Sequence, residues 1–398
     1  MFRILGKKGR PAARMTGKEK DVRLALAEIR RAKLRFGLLT GAVALLVFLI
    51  LFQQSLAGSL LGQFTGGLEH QSATVLVYAA DARRTVDGSR VTPAQVAQVA
   101  AVPGVAASGP IGEGSFTARL GDGQLSDTSA IGYELGGPGF PTTLSSGRLP
   151  ESDGEAVASA ADASQGYDIG QTVTVVPGDT PVTIVGLADN IQFNVQPTLF
   201  VSFATFEGLV RATNPDARAV LPNLVGVEPA AGVEPVALAS TITAQVAGVE
   251  ALDRDTAVAS LPGVSSIEQS FNIILGLAFV VVILLTGFFF LIITVQKTPS
   301  LTLLRAVGAS GGFLLRNLIV QVLLVIGGAL VIAVPLTIAA VSGSSSAAFQ
   351  ATVDPAVIVT TSIAIVLLAV VASIGAMRRV AKIDPAAATA RLTGGGLA

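Results

Sequence analysis

Four stretches of the chain carry no charged residue: 36–68 (33 residues), 269–296 (28), 317–353 (37) and 355–377 (23). A spanning helix needs about 20 apolar residues, whereas the buried helix of a soluble domain is rarely so long and so uniformly apolar. The pattern predicts membrane helices over 37–57, 273–295, 318–341 and 357–376. The chain then divides into an N-terminal segment (1–35), a first transmembrane helix (36–57), a long segment (58–270), a second helix (271–296), a loop (297–316), a third helix (317–341), a short loop (342–354), a fourth helix (355–377) and a tail (378–398). The first apolar run differs from a secretory leader, whose apolar core spans only about 7–15 residues. It reads as a retained anchor.

Between the first two spans the periodicity changes. Short alternating or β-branched runs predict strands over 73–79, 171–176, 181–186, 198–203 and 221–227. Turn chemistry separates them, as at Pro177-Gly178-Asp179. Thr92-Pro93 places a cap and then a proline in the first helical turn, which predicts a helix over 94–102 that stops at Pro103-Gly104. A second helix is expected over 235–246, and 256–261 leads into Pro262-Gly263. Val102-Pro103-Gly104-Val105 and Leu261-Pro262-Gly263-Val264 look like an internal echo of helix, tight turn and strand. The expected fold is four transmembrane helices, arranged one plus three, with a large α+β domain between helices one and two, in which the echo suggests two related halves.

Charge orients this plan. Of the 27 basic residues, 12 lie in 1–35, three in 297–316 and four in 378–398, so 19 fall on one side of the membrane. Lys and Arg mark the cytoplasmic side, so both termini are expected in the cytoplasm and 58–270 outside. The outer segment has eight arginines, no lysine and 22 acidic residues, a net charge of −14. Such a domain would repel nucleic-acid phosphates. Residues 21–35 read as an amphipathic helix, with Val22, Leu26, Ile29 and the stem of Lys33 on one side, suited to the inner headgroups.

Little covalent chemistry is available. There is no cysteine and one histidine, which excludes disulfides, thiol chemistry and a histidine-cluster metal site within one copy. No phosphate-binding glycine loop occurs. Gly308-Ala309-Ser310-Gly311-Gly312 matches the nucleophile-elbow spacing, but no strand precedes it. The chain is therefore not expected to be an enzyme, and any ATP hydrolysis belongs to a partner subunit.

The order of one span, outer domain and three spans resembles the FtsX/MacB-like permeases of ABC transporters. The stretch Gln296-Lys297-Thr298-Pro299-Ser300-Leu301-Thr302-Leu303-Leu304-Arg305-Ala306-Val307-Gly308-Ala309-Ser310 resembles that family's loop after span two. Leu24-Ala25-Leu26-Ala27-Glu28-Ile29-Arg30, Lys33-Leu34-Arg35-Phe36, Leu68-Glu69-His70 and Thr294-Val295-Gln296-Lys297 are similar to permeases of bacterial haem-efflux transporters of the HrtBA type. The resemblance covers both ends and all four spans, and the outer domain only weakly. It implies a homodimer in the cell membrane, of the type VII ABC class, working with two copies of a separate ATPase and exporting haem. It also implies that a short helix over 301–307 docks on the ATPase through Leu303, Leu304, Arg305 and Val307, framed by Lys297 and Arg316.

The first uncharged run is longer than one crossing, so span one is expected to continue as a stalk. On a helix, Gln54, Gly58, Gly62, Thr65 and Glu69 share one narrow face, and Gly58-x-x-x-Gly62 would let a neighbour approach the backbone. That face is either a helix-packing surface or the floor of a cleft for a flat ligand. Haem needs an axial donor, an apolar slot and polar contacts for its propionates. On the resemblance, Glu69 and His70 are the candidate iron ligands, with Phe52, Phe64, Phe271 and Phe279 as slot walls. Tyr78, Tyr133 and Tyr167 are weaker donors. None of the spans carries a charge, which suits an amphiphile entering sideways from lipid. Two alternatives stay open. The same machine could move another amphiphile (a lipid, lipopeptide or antibiotic), or the outer domain could regulate a cell-wall enzyme mechanically.

Overall fold

A computed structural model describes residues 33–217, 219–306, 311–344 and 354–381. In chain order the elements are α1 (Lys33–Glu69), β1 (Val75–Ala79), α2 (Pro93–Ala100), β2 (Val105–Arg119), β3 (Leu125–Tyr133), β4 (Leu144–Gly147), β5 (Glu155–Ser159), β6 (Thr172–Val176), β7 (Thr180–Ala188), β8 (Thr198–Ser202), α3 (Phe203–Thr213), β9 (Leu224–Pro229), α4 (Pro235–Gln245), β10 (Val249–Asp253), α5 (Arg254–Ala259), α6 (Val264–Ala306), α7 (Gly311–Ser344) and α8 (Pro355–Ala381). They form two compact units, a helical one and an α+β one that holds Ser55–Asn272.

Four helices, α1, α6, α7 and α8, are long and apolar enough to cross a membrane. Within the helical unit α1 buries Phe36, Leu39, Val43, Val47 and Ile50, a three-and-four spacing that makes one stripe. The stripe belongs to a core with Val282 and Phe290 of α6, Val325, Ile326 and Ala329 of α7, and Ile365 and Ala369 of α8. Hydrocarbon gives no hydrophobic drive between helices, so close packing and interhelical hydrogen bonds hold such a bundle. The Thr361 hydroxyl donates to Gln54 Oε1 at 2.6 Å, tying α8 to α1.

Two helices run on where the sequence predicts a boundary. Helix α1 is continuous over 37 residues, about 55 Å at 1.5 Å per residue, against a hydrocarbon core of about 30 Å. The expected extension of span one is therefore helical. Helix α6 extends for 43 residues through 301–306, so the segment expected as a separate coupling helix is its last turns. Pro299 has no N–H and removes one ladder hydrogen bond, and the helix runs on through it. Of the predicted 297–316 loop, 297–306 are helical in α6 and 311–316 in α7, and 307–310 lie outside the described residues. Of the expected amphipathic helix over 21–35, all but 33–35 lies outside the described residues.

The α+β unit is built on one ten-stranded sheet with two parts. In the first, the order is β10-β1-β9-β2, all neighbours antiparallel. Units β1-α2-β2 and β9-α4-β10 interleave, which is the split βαβ arrangement. Helices α2 and α4 share a core with this sheet, where Val99, Leu238 and Ile242 meet Val75, Val77, Val225 and Val227. The two interleaved units share the order strand, helix, strand, but the second helix–turn–strand lies elsewhere than predicted. It is α4, Gly248 and β10, whereas Pro262-Gly263 leads into α6 and not into a strand. In the second part, β2, β3, β8, β5, β7 and β6 pair in turn, and β6 returns to β2 through Thr117–Val176. This closes a six-stranded barrel, which removes the free edges an open sheet would leave. Its filling includes Phe116, Tyr167, Ile184, Leu199, Phe206 and Leu209. Strand β2 has 15 residues and serves both parts, its first half pairing with β9 and its second with β3 and β6.

Candidate functional site

The end of α1 is held in place by the α+β unit. Leu61, Phe64 and Leu68 lie three and four apart and pack with Ile131, Tyr133, Phe193 and Phe200. The 189–196 loop lies along the helix backbone. Gly67 N donates to Gln192 O at 3.0 Å, Asn194 N to Phe64 O at 3.2 Å and Val195 N to Gln63 O at 3.0 Å. Gly66 and Gly67 permit this approach. A Cβ on Gly66 would collide with the Asn190 carbonyl, and one on Gly67 would lie 2.7 Å from Ile131 Cδ1. The loop takes up Asn190, Asn194 and Val195 in the left-handed region, at φ 58°, 55° and 58°. Asparagine tolerates that region, and a β-branched residue does so only under strain.

Helix α1 ends at Glu69 and His70. The Gln71 amide donates to Leu68 O at 3.3 Å and Ala73 O at 2.8 Å, occupying a carbonyl that the last turn leaves open. His70 N donates to Gly66 O at 2.9 Å. His70 O accepts from the backbone and the hydroxyl of Thr142, both at 2.8 Å. Glu69 is exposed and His70 half-buried. Thr65 Oγ1 donates to Leu61 O at 2.9 Å and to Glu69 Oε2 at 3.3 Å. The face predicted from helical spacing therefore forms at Thr65 and Glu69. An exposed carboxylate and an adjacent imidazole offer two donors of the kind that ligate iron or accept from a cationic group. Among the described residues no three His, Cys, Asp or Glu gather as a metal cluster, so a protein-only metal site is not formed here.

The other candidates fall into place unit by unit. A Cβ on Gly58 or Gly62 would meet nothing within 4 Å among the described residues. Phe64 is engaged in the α+β core, and Phe271 is half-buried in the same unit. Phe52 stacks on Phe48 with ring centroids 5.7 Å apart. Phe279 packs against the core of the helical unit. Tyr78, Tyr133 and Tyr167 are fully buried, which removes them as donors to an external ligand. Burial raises the Tyr78 and Tyr167 phenols and pushes Tyr133 up to about 12. Leu303, Leu304 and Arg305 lie in the last turns of α6, Lys297 lies earlier in the same helix and Arg316 in α7. Val307 lies outside the described residues. Of the Gly308–Gly312 stretch, residues 308–310 lie outside the described residues, and the described element before it is helix α6.

Two buried carboxyls escaped the sequence reading. Asp162 sits in a short 3-10 turn after β5, where its oxygens accept from the Gln192 amide at 2.8 and 2.9 Å and from Gln165 at 2.9 Å. Gln192 thereby links the barrel to the loop that lies along α1. Glu113 on β2 is 6% exposed, and burial raises its carboxyl to about 9. Neither stood out among 22 acidic residues of the segment, because burial is set by pairing partners distant in sequence.

Two families match this chain. The MacB-like periplasmic core domain matches residues 36–253, and the FtsX-like permease C-terminal domain matches residues 272–385. Among solved structures, the periplasmic region of MacB from Actinobacillus actinomycetemcomitans is 13% identical, with a TM-score of 0.33, covering 46% of this chain and 89% of that one. The extracellular domain of the noncanonic ABC-type transporter YknZ from Gram-positive bacteria is 14% identical, with a TM-score of 0.31, covering 46% of this chain and 100% of that one. No curated protein shows significant similarity to the chain. The first family match spans more than half of the sequence and the second the three C-terminal membrane helices, so the chain belongs to the MacB-like periplasmic core domain family and is a multi-pass FtsX/MacB-like permease with an extracytoplasmic domain.

Proposed function

We propose that this permease is the membrane half of an ABC exporter that extrudes haem, drawn sideways from the bilayer and released outside. Two copies pair about a two-fold axis and bind two copies of a separate ATPase. ATP binding closes the ATPases, and the cytoplasmic ends of the membrane helices, Leu303, Leu304 and Arg305 among them, carry that motion to the spans and the outer domain. The observation that carries the exporter reading is the plan itself. A single α1 helix begins in the membrane unit and ends in the outer domain, three further spans follow, and the sequence has no nucleotide-binding loop. The chain then supplies the path and an external subunit the energy, so the permease itself is not an enzyme.

The haem assignment is supported by the resemblance of the short motifs around α1 and by the placement of Glu69 beside His70 at its end. Either side chain can offer one axial donor, and the open backbone at Gly58 and Gly62 leaves room for a flat ring. The test is a titration of the detergent-purified full chain with haemin, following the Soret band, with Glu69→Ala and His70→Ala alongside. A saturable shift is expected, weakened about tenfold or more in at least one variant, which corresponds to about 1.4 kcal/mol of binding free energy. A shift indifferent to both changes would keep haem and discard this site. No saturable shift, with the ATPase partner also present, would overturn haem and favour another amphiphile.

A further inference from the structure

We infer that Asp162, acting through Gln192, is a positioning residue that clamps the last turns of α1, which carry Glu69 and His70, to the barrel. Asp162 follows β5 and is 2% exposed. Both of its oxygens accept from the Gln192 amide, at 2.8 and 2.9 Å, and Oδ1 also accepts from Gln165 at 2.9 Å. These donors are all amide N–H groups, the pattern that an ionised carboxylate satisfies. Among the described residues no lysine, arginine or histidine forms an ion pair with it. A carboxylate held out of water without a cation is costly, and a neutral side chain would fill the position at lower cost. What the carboxylate adds is a charge-assisted grip on a residue 30 positions away.

Gln192 passes that grip on through its backbone. Its carbonyl accepts from Gly67 N of α1 at 3.0 Å. Just beyond it, Asn194 N donates to Phe64 O at 3.2 Å and Val195 N to Gln63 O at 3.0 Å. An undisturbed α-helix sends Gly67 N to Gln63 O and Leu68 N to Phe64 O. The turn therefore engages the same backbone groups as the helix's own ladder, and it fixes α1 in register as well as in place. Gln196 N donates to Phe193 O at 3.1 Å, and Asn194 and Val195 between them have φ 55° and 58°, the positive pair that a type I′ turn requires. Ile191 and Phe193 are buried in the core that also holds Leu68. That packing holds the loop down, but apolar contact has no direction. Direction comes from the hydrogen bonds, and Asp162 anchors them from inside the barrel. The start of the loop is tied as well. Asp189 N donates to Thr143 O at 2.9 Å, and the neighbouring Thr142 N donates to His70 O at 2.8 Å. Two loops bonded to each other thus grip the helix, at 63–67 and at 70.

That the clamped end binds haem rests on the proposed function. The clamp itself does not, since it holds the same turns whatever the cargo.

The test uses the full chain in detergent, with hydrogen exchange resolved to single amides. In the wild type the Asn194 and Val195 amides should be protected. In Gln192→Ala they should exchange on the order of tenfold faster, as the loss of a hydrogen bond to a charged group implies, while the amides of β6 and β7 keep their rates. Asp162→Asn should stay near the wild type, because the Gln192 amide can turn over and pair with the introduced amide. A haemin titration on the same samples reads the positioning. Gln192→Ala alters neither Glu69 nor His70, yet it should weaken binding about threefold to tenfold, and Asp162→Asn should not. The clamp would be overturned by wild-type Asn194 and Val195 amides that exchange as fast as an unstructured peptide, by rates unchanged in Gln192→Ala, or by an acceleration that spreads through β6 and β7. Faster exchange with unchanged haemin affinity would overturn the positioning role. A wild type with no Soret shift sinks the haem reading instead, and the exchange rates then decide the clamp alone.

Discussion

Gly66 and Val195 pay for the same contact from opposite sides. The loop can lie on α1 only if residue 66 has no side chain, because a Cβ there would occupy the position of the Asn190 carbonyl. Gly66→Ala must move either the helix or the loop, a form of overpacking that costs about 1–3 kcal/mol. For a unit of this size that is a fall of about 2–10 °C in the unfolding temperature of the outer domain. Val195 is the converse case. It sits at φ 58° and is 42% exposed, so its strain is not repaid by burial. The left-handed region costs an L-residue roughly 1–2 kcal/mol, and glycine returns roughly 0.5–1 of that through its freer unfolded chain. Val195→Gly should leave the fold intact and raise the unfolding temperature by about 1–3 °C, measured on the detergent-solubilised chain. A fall would mean that the Val195 side chain makes a contact worth more than the strain. Neither residue announces its role in the sequence: four glycines lie within 58–67, and which two meet the loop is decided by a segment more than 120 residues away.

Strands made of small residues explain what the pattern predicted and what it missed. The runs at β1, β6, β7, β8 and β9 are β-branched or alternating and were legible. The runs at β3, β4, β5 and β10, and β2 beyond the strand start expected after Gly104, are rich in glycine, alanine, serine and acidic residues, which carry little strand preference of their own. Their pairing is fixed by packing. Gly112 of β2 and Gly132 of β3 stand directly opposite each other, and a Cβ on either would run into the Phe206 ring. The strands are glycine there because α3 lays a phenylalanine across them, and Phe116 meets that ring edge-on at 6.1 Å. Truncating such a residue loses its transfer energy and leaves a cavity that two glycines cannot fill. Phe206→Ala should therefore cost about 3–5 kcal/mol. Hydrogen exchange should quicken in β2, β3 and β8 and much less in α2 and α4, which belong to a separate core. Uniform acceleration across both parts would show that barrel and split βαβ half unfold as one.

At the scale of the whole molecule, the asymmetric placement of charge predicts which end of the proposed exporter faces the cytoplasm. Nineteen of 27 basic residues lie in 1–35, 297–316 and 378–398, and the 58–270 segment carries a net −14. Basic flanks resist translocation, whereas acidic residues in a long loop contribute little to topology, so the first count does the orienting. On the proposed function this predicts Leu303, Leu304 and Arg305, at the end of α6, in the cytoplasm where the proposed ATPase would bind, and the Glu69–His70 end of α1 outside. The absence of cysteine makes the assignment directly measurable, since any engineered thiol is the only one in the chain. Leu125 is 63% exposed at the start of β3, and Ala12 lies in the basic N-terminal segment. Leu125→Cys should react with a membrane-impermeant maleimide on intact cells, and Ala12→Cys only after the membrane is opened. The reverse pattern would put the α6 end where there is no ATP, and the exporter mechanism would fall with it.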